Sequence, residues 1–265
     1  MAKIEEEQWL KQINDRWSVI PEFQVDPLRL KHLAIICDGN RRAATSRGCD
    51  PWIGHRMGVE VIQGILDACG TWGITNLTVW TWSTENWKRD NKQTDFVMKL
   101  ASTYLADTRT LDNLIKHKVK FVHFGRKDRI PTEVKKAIEY LESETKQFDK
   151  AYLNLGLDYG GLDETARGIA QIVEWIQKGK LTPAELIANP GIILGSLDSH
   201  NQPNPDLVIR TGVSEGEIPH TSGFMPLQTI GSGWEFIPEL FPDLTPNILL
   251  DQIKRYLGYE KRLGK

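Results

Sequence analysis

Short apolar runs alternate along the chain with longer segments in which apolar residues recur every three or four positions. Five runs predict strands at 33–37, 77–82, 118–123, 152–157 and 206–210, and a shorter run at 234–236 is a candidate last strand. The periodic segments predict helices at 57–72, 97–116, 131–148, 163–176, directly after Thr182 and Pro183, and at 248–257. Strand and helix in alternation predict an α/β fold, a mainly parallel sheet flanked by helices on both faces.

Residues 4–17 carry a separate amphipathic pattern. The segment begins at Ile4, and Trp9, Ile13 and Trp17 recur at i, i+4 and i+8, which makes one helical face apolar. This face either packs on the rest of the chain or contacts a membrane surface or a partner helix, and the acidic residues at 5–7 disfavour an anionic membrane. Because no repeat or linker is visible, we expect a single domain over 1–265, with 1–28 as an N-terminal helical extension.

The first apolar run leads directly into polar residues that form the strongest candidate for a binding site. They are Asp38, Gly39, Asn40, Arg41 and Arg42, and His55 follows where a helical pattern begins. Open α/β sheets bind ligands at the carboxyl ends of their strands. A glycine and a helix N-terminus present backbone N–H groups to an anion, and an aspartate holds a divalent cation that binds phosphate. We interpret the segment as a Mg²⁺–diphosphate site, and a plain turn is the alternative.

Polar residues also follow other predicted strands. The second strand is followed by Ser83, Asn86, Trp87 and Arg89, the fourth by Asp158, and the fifth ends in Arg210. Because the carboxyl ends of parallel strands meet at one edge of a sheet, we expect these side chains to gather near Asp38.

Composition narrows the class of protein. A net charge of −2 and a pI near 6.3 give no indication of a nucleic-acid partner. Cys37, Cys49 and Cys69 lack the spacing of a zinc site or a disulfide framework, which suits a reducing compartment. No apolar run reaches the roughly 18 residues of a membrane span, and the acidic N-terminus does not resemble a signal peptide. We therefore expect a cytoplasmic protein.

Five blocks of the sequence, in order, resemble the signature motifs of cis-prenyltransferases, the relatives of undecaprenyl and dehydrodolichyl diphosphate synthases. The blocks are HLAIICDGNRR, the Gly-His pair at 54–55, TWSTENWKR, LDYGG and DLVIRTG. The resemblance extends from about residue 32 to residue 243. It implies a homodimer, a six-stranded parallel sheet and a hydrophobic tunnel for the growing isoprenoid chain.

The resemblance also implies a reaction. These enzymes use Mg²⁺ to condense isopentenyl diphosphate with an allylic prenyl diphosphate, which gives a cis-polyprenyl diphosphate. Loss of the allylic diphosphate leaves a carbocation-like carbon, and the isopentenyl double bond attacks it before a proton is lost. No covalent enzyme intermediate is needed, in agreement with a sequence that shows no Cys/His or Ser/His constellation. The lipid product implies peripheral association with a membrane.

The resemblance assigns roles to the residues that match the motifs. On the allylic side they are Asp38 as metal ligand, Gly39, Asn40 and Arg42 as the diphosphate loop with Arg41 beside them, and His55 near the allylic diphosphate. The S-x-x-N-W-x-R loop is matched by Ser83, Asn86, Trp87 and Arg89, and its asparagine assists proton removal. The block that holds isopentenyl diphosphate is matched by Arg210 and Ser222.

The chain departs from the family at several positions. Arg41 replaces a glycine, and Pro51 stands where the family has an arginine. In the isopentenyl block, this chain has His220 at the position of the family's second arginine. At the position of the family's late metal-binding glutamate it has Gly233. We expect His220 and Glu235 to be the replacements, since Glu235 lies two residues from Gly233 and on the same strand face.

Histidine does not copy the bidentate fork of an arginine, and a lost charge-assisted bond costs roughly 1.5–3 kcal/mol. The departures therefore weaken the expected binding of isopentenyl diphosphate and leave three hypotheses. The first, which we favour, is a chain-elongating transferase with a rearranged isopentenyl site. The second is one-substrate or head-to-middle allylic diphosphate chemistry: cyclisation, hydrolysis or joining of two allylic units. The third is a non-catalytic partner subunit of another cis-prenyltransferase. Trp80 and Trp82 are candidates to shorten the tunnel, with core packing as their alternative role.

Overall fold

The computed structural model describes residues 5–260, and its centre is a six-stranded sheet. The strands are β1 (His32–Ile36), β2 (Asn76–Ser83), β3 (Val119–Phe124), β4 (Ala151–Tyr159), β5 (Leu207–Arg210) and β6 (Gly233–Phe236). They lie in the order β3-β4-β2-β1-β5-β6, and all neighbouring pairs are parallel. The predicted six-stranded parallel α/β sheet is therefore confirmed.

Helices alternate with these strands. The α-helices are α1 (Glu6–Trp17), α2 (Asn40–Thr45), α3 (Ile53–Trp72), α4 (Asn91–Leu105), α5 (Thr108–His117), α6 (Thr132–Thr145), α7 (Gly161–Gln177), α8 (Pro183–Ala188) and α9 (Pro246–Gly258). Short 3-10 helices span Thr84–Lys88, Pro190–Ser196 and Phe241–Asp243. Within residues 5–260, we find no helix with both the length and the apolar character that crossing a membrane requires.

Strand β1 contributes to two cores because successive side chains of a strand point to opposite faces of the sheet. Leu33 and Ile35 belong to the larger core. Ala34 and Ile36 belong to a smaller core on the other face, together with Phe224. Burial on both faces explains why β1 is an uninterrupted apolar run in the sequence.

Helix α1 packs on the body of the chain through its predicted apolar face. Trp9, Ile13 and Trp17 are buried and belong to the larger core. The indole of Trp17 lies against Gly64 of α3, where an added Cβ would come within 2.3 Å of the ring. The described residues thus favour packing over the membrane or partner interpretation. Ile4, the first residue of the predicted pattern, lies outside the described range.

The prediction of one long helix reaching residue 116 is wrong. The chain forms α4 and α5 instead, separated at Ala106 and Asp107. The side chain of Asp107 accepts a hydrogen bond from the backbone N–H of Arg109 at 2.9 Å and so caps the start of α5. The apolar pattern continues through the break because both helices pack on the same core, through Leu105 and Leu114.

Candidate active site

Strand β1 ends in a turn that fixes the position of Asp38. The backbone N–H of Asp38 donates to Thr211 Oγ1 at 3.0 Å, and its carbonyl accepts from Phe241 N at 2.9 Å. Gly39 follows with a φ of 96°, a left-handed conformation that glycine adopts without strain. A Cβ at Gly39 would also lie 2.8 Å from Leu240 Cδ2. The turn therefore requires glycine beside Asp38.

The Asp38 carboxylate lies between arginines from two different elements. Arg42 Nη2, on α2, is 3.3 Å from Oδ1, and Arg210 Nη2, at the end of β5, is 2.9 Å from Oδ2. The backbone N–H of Gly39 donates to Oδ1 at 2.6 Å. Arg42 also donates to the carbonyl of Gly212 at 2.6 Å. Both carboxylate oxygens thus face cationic donors at the carboxyl edge of the sheet.

Arg210 connects Asp38 to the irregular segment that precedes β6. Its Nη1 donates to the carbonyl of His220 at 2.7 Å and to Ser222 Oγ at 2.7 Å, and it lies 3.1 Å from His220 Nδ1. Because a guanidinium has only donors, Nδ1 of His220 accepts in this contact. The ring is then left with Nε2 as its free donor. Arg210 Nε is buried without a partner among the described residues.

Strand β2 ends in a loop that carries two further candidate residues. Asn86 Oδ1 accepts from the backbone N–H of Ser83 at 3.0 Å, which fixes the first turn of the 3-10 helix. Arg89 follows that helix, and burial and the nearby Arg41 lower its pKa while Asp38 raises it. Arg89 therefore lies within electrostatic range of both charged residues of the β1 turn.

Two candidate residues near the strand ends, Trp87 and Asp158, bind other protein groups instead. Trp87 Nε1 donates to Asp158 Oδ1 at 2.7 Å, and Arg129 Nε donates to Asp158 Oδ2 at 2.9 Å. Asp158 is completely buried. Trp80 Nε1 donates to the carbonyl of Tyr159 at 3.1 Å. The Trp80 bond thus joins β2 to β4, and Asp158 at the end of β4 is held by Trp87 and Arg129.

His55 lies near the start of α3, close to Arg89 and Arg41. Burial, with a further contribution from these two cations, lowers the pKa of His55 to about 4. The imidazole is therefore neutral at pH 7 and offers one N–H donor and one acceptor. Its Nε2 lies 3.5 Å from Gln93 Nε2.

Asp38 and the residues around it line a polar pocket of about 520 Å³. Its lining includes Asp38, Gly39, Asn40, Arg41, Arg42, His55, Ser83, Asn86, Arg89, Arg210 and Ser222. The described residues of this lining contain four arginines and a single carboxylate, that of Asp38. A concave site with this excess of positive charge attracts a polyanion. His220 is not part of this lining but lies at its margin, against the lining residues Arg210 and Ser222.

An apolar cavity of about 120 Å³ adjoins the polar pocket. The two share the lining residues Cys37, Asn40, His55 and Thr81. The cavity continues between α3, α4 and the sheet, past Ile62, Val97, Leu100, Leu155 and Phe121. Trp80 and Trp82 line the polar pocket and not this cavity. The arrangement suits an amphiphile with an anionic head and a hydrocarbon tail.

Glu235 lies apart from Asp38, so the structure does not bring the two predicted metal ligands together. The Glu235 carboxylate faces α9, where its Oε1 is 3.6 Å from Arg255 Nε. A Cβ added at Gly233 would meet Tyr256 of the same helix at 2.7 Å. Both positions share one face of β6, as the period of a strand requires, but that face is turned toward α9 and Glu235 does not line the pocket.

Asp38 alone provides a site that fits a divalent cation bound together with a diphosphate. Within residues 5–260, no group of three or more His, Cys, Asp or Glu side chains could hold a metal. Mg²⁺ typically keeps several waters and binds through one or two carboxylates plus substrate phosphates. The half-buried carboxylate of Asp38, in a pocket that attracts anions, meets that requirement.

Sequence reasoning missed Thr211, which supports the β1 turn: its Oγ1 donates to the carbonyl of Asp38 at 2.8 Å. Asn40, which was predicted as a binding residue, supports the same turn, because its Nδ2 donates to the carbonyl of Cys37 at 2.9 Å. An added Cβ at Gly58 would lie 2.7 Å from Asn40 Oδ1, so α3 approaches the β1 turn closely. The signal for Thr211 was present, since it directly follows Arg210 in the DLVIRTG motif.

Comparisons with known proteins agree with this geometry. Residues 36–264 match a protein family described as "Putative undecaprenyl diphosphate synthase". The chain is 35% identical over 235 residues to the tritrans,polycis-undecaprenyl-diphosphate synthase (geranylgeranyl-diphosphate specific) of Pyrococcus furiosus, covering 89% of this chain and 87% of that protein. It is 33% identical to the isoprenyl transferase of Agrobacterium fabrum over 88% of this chain and 92% of that protein.

A solved structure with a similar fold is lavandulyl diphosphate synthase from Lavandula x intermedia in complex with dimethylallyl diphosphate. The TM-score is 0.83 at 28% sequence identity, over 91% of this chain and 100% of that one.

Proposed function

Because the chain belongs to the undecaprenyl diphosphate synthase family of cis-prenyltransferases, we propose that it condenses isopentenyl diphosphate with an allylic prenyl diphosphate to make a cis-polyprenyl diphosphate. The observation that carries this proposal is the continuity of a polar pocket rich in arginine with an apolar cavity at His55 and Asn40. The pocket suits the diphosphate and the cavity suits the prenyl chain.

The allylic diphosphate binds at the β1 turn in this proposal. Arg41, Arg42 and Arg89 donate to its oxygens, and His55, which is neutral, donates where the diphosphate joins the hydrocarbon. Members of this family use a divalent metal. We propose Mg²⁺ held by Asp38, which supplies charge stabilisation to the departing diphosphate. The backbone of Gly39 and Asn40 lines the same pocket, where it would contact the diphosphate.

Isopentenyl diphosphate binds beside Arg210 and Ser222 in this proposal. Arg210 is the cation of the second site, and His220 adds its Nε2 donor where the family has an arginine. Asn86, held by Ser83, lines the pocket and assists removal of the proton after the new bond forms. The site keeps one strong cation and replaces the other with a weaker donor.

An assay with radiolabelled isopentenyl diphosphate tests the function. Purified protein with Mg²⁺ receives farnesyl or geranylgeranyl diphosphate, with and without labelled isopentenyl diphosphate. We expect label to move into longer chains that extract into butanol, and only when both substrates are present. Consumption of neither substrate would instead favour the partner-subunit hypothesis.

A second candidate function is chemistry on allylic diphosphates alone. Two observations favour it: a histidine, His220, stands beside Arg210 where the family has a second arginine, and the fold is similar to lavandulyl diphosphate synthase in complex with dimethylallyl diphosphate. Release of pyrophosphate from dimethylallyl diphosphate, at the same rate with and without isopentenyl diphosphate, identifies this function.

We also propose that the protein is a homodimer and that α7 forms part of the interface. Leu162, Ile169 and Val173 recur on one face of α7, and they are 84%, 56% and 46% exposed. A stripe of large exposed apolar side chains on one helix is typical of a face that a partner covers.

A further inference from the structure

Three polar residues interrupt the wall of the apolar cavity. Gln63 of α3, Tyr104 of α4 and Thr110 of α5 line the cavity among otherwise mostly apolar side chains. The same three residues also line a shallow polar pocket of about 390 Å³ on the surface of the protein. At this point, therefore, a single layer of side chains separates the cavity from solvent.

Hydrogen bonds between helices hold this layer closed. Tyr104 Oη donates to Glu60 Oε1 at 2.8 Å, which links α4 to α3. Asn113 Nδ2 donates to Gln63 Oε1 at 3.3 Å, which links α5 to α3. Burial and the adjacent Glu60 raise the pKa of Tyr104, so its hydroxyl keeps the proton that it donates. Both bonds are partly exposed and exchange with water at small net cost.

Helix α5 is attached to the core by few buried side chains. Helices α4 and α5 are interrupted at Ala106 and Asp107, and α5 is anchored by one fully buried side chain, Leu114. Thr110 Oγ1 donates to the carbonyl of Tyr104 at 2.8 Å and joins the two helix ends. Elements with few buried side chains open at lower free energy than the core of a protein.

The other possible end of the cavity is closed by core packing. A rear pocket of about 660 Å³ lies beyond it, at the amino ends of the strands. No described residue lines both this pocket and the cavity. Leu77, Leu153 and Phe121 stand between them; they are paired across β2, β4 and β3, and each is at most 6% exposed. Opening this route would disrupt the sheet's own core.

We propose that Gln63, Tyr104 and Thr110 form a gated side port through which the far end of a growing hydrocarbon chain leaves the cavity. The proposal rests on the proposed function, because it concerns the chain that this site elongates. A chain that outgrows the cavity breaks the Tyr104–Glu60 and Asn113–Gln63 bonds, and α5 moves outward from α3. The occupant of the port is the prenyl tail of the enzyme's own product.

Photocrosslinking of the wild-type protein tests the port without requiring turnover. The probes are allylic diphosphates of increasing length with a diazirine at the end remote from the diphosphate, and the labelled residues are mapped by mass spectrometry. We expect short probes to label the cavity wall near Leu100 and Leu155, and long probes to label Tyr104, Thr110 and neighbouring residues of α5. Labelling by long probes at Leu77, Val119 or Ala151 would place the exit at the rear pocket and overturn the proposal.

A variant provides an independent readout. Tyr104→Phe removes the bond to Glu60 and retains the ring, so we expect the main product to lengthen by one or more isoprene units. Tyr140→Phe, at an exposed tyrosine on α6, is the matched control and leaves product length unchanged. An unchanged product from Tyr104→Phe, together with labelling away from α5, contradicts the port. Labelling at the port in a protein that does not elongate contradicts the proposed reaction but not the port.

Discussion

Arg210 lies 2.9 Å from Asp38 and at the same time binds Ser222 and the carbonyl of His220. One guanidinium therefore connects the carboxylate proposed to hold the metal with the segment proposed to hold the second diphosphate. In the proposed arrangement, a cation held by Asp38 would compete with Arg210 for Oδ2, and Arg210 would then be available to a second anion. We therefore expect this pair to couple the two proposed substrate sites.

Replacing Asp38 with alanine removes the only carboxylate among the described lining residues and leaves Arg42 and Arg210 without their shared counterion. We expect turnover to fall by about a hundredfold or more, since charge stabilisation of the leaving diphosphate is lost. Steady-state kinetics over a Mg²⁺ titration measure the effect.

The matched control for this change is Asp50→Ala, at an exposed aspartate that does not line the pocket. It should retain wild-type turnover. If Asp38→Ala retains the same Mg²⁺ dependence as wild type, Asp38 does not hold the metal.

Replacing His220 with arginine restores a bidentate donor beside Ser222. We expect the KM for isopentenyl diphosphate to fall by about tenfold, which corresponds to a charge-assisted bond of about 1.5 kcal/mol. The KM for the allylic diphosphate should stay unchanged, because the β1 turn and its arginines are not altered. An equal change in both constants would show that His220 does not belong to one site alone.

The sequence predicted the site where the order of strands alone determines which residues meet. Residues at the ends of β1, β2 and β5 meet because parallel strands share a carboxyl edge, so the polar pocket around Asp38 and Arg210 could be predicted. The break at Asp107 could not, because the apolar period runs unchanged through two helices that pack on one core. The direction in which the Glu235 side chain points could not be predicted either. The two-residue period of a strand places Glu235 on the same face as Gly233 but does not show which helix covers that face.

Acid should destabilise the fold through His32. Burial lowers the pKa of His32 from 6.5 to about 4, although the carbonyl of Pro203 opposes the shift. The ring is satisfied when neutral: its Nδ1 lies 2.7 Å from that carbonyl and its Nε2 lies 2.7 Å from Thr78 Oγ1. Since the unfolded state binds the proton first, the contribution of His32 is complete above about pH 6.5 and is lost as the pH falls toward 4. The loss is on the order of 3 kcal/mol.

Urea denaturation between pH 7.5 and 4.5 measures this dependence as the free energy of unfolding. His32→Asn retains a donor toward the Pro203 carbonyl but does not titrate, so its stability should fall less steeply with acid than that of wild type. His117→Asn, at an exposed histidine on α5, should follow the wild-type curve. Equal slopes for all three proteins would contradict the assignment to His32.

Placing a charge in the apolar stripe of α7 should separate the proposed dimer. Ile169→Asp introduces a carboxylate that would be buried without a partner when a second copy covers this face, a cost of several kcal/mol. Light scattering after size exclusion should then give the mass of one chain, where wild type gives two. Ile187→Asp makes the same change at an isoleucine of α8 that is 79% exposed, and it should leave the dimer intact. A wild-type mass for Ile169→Asp would place the interface elsewhere than on α7.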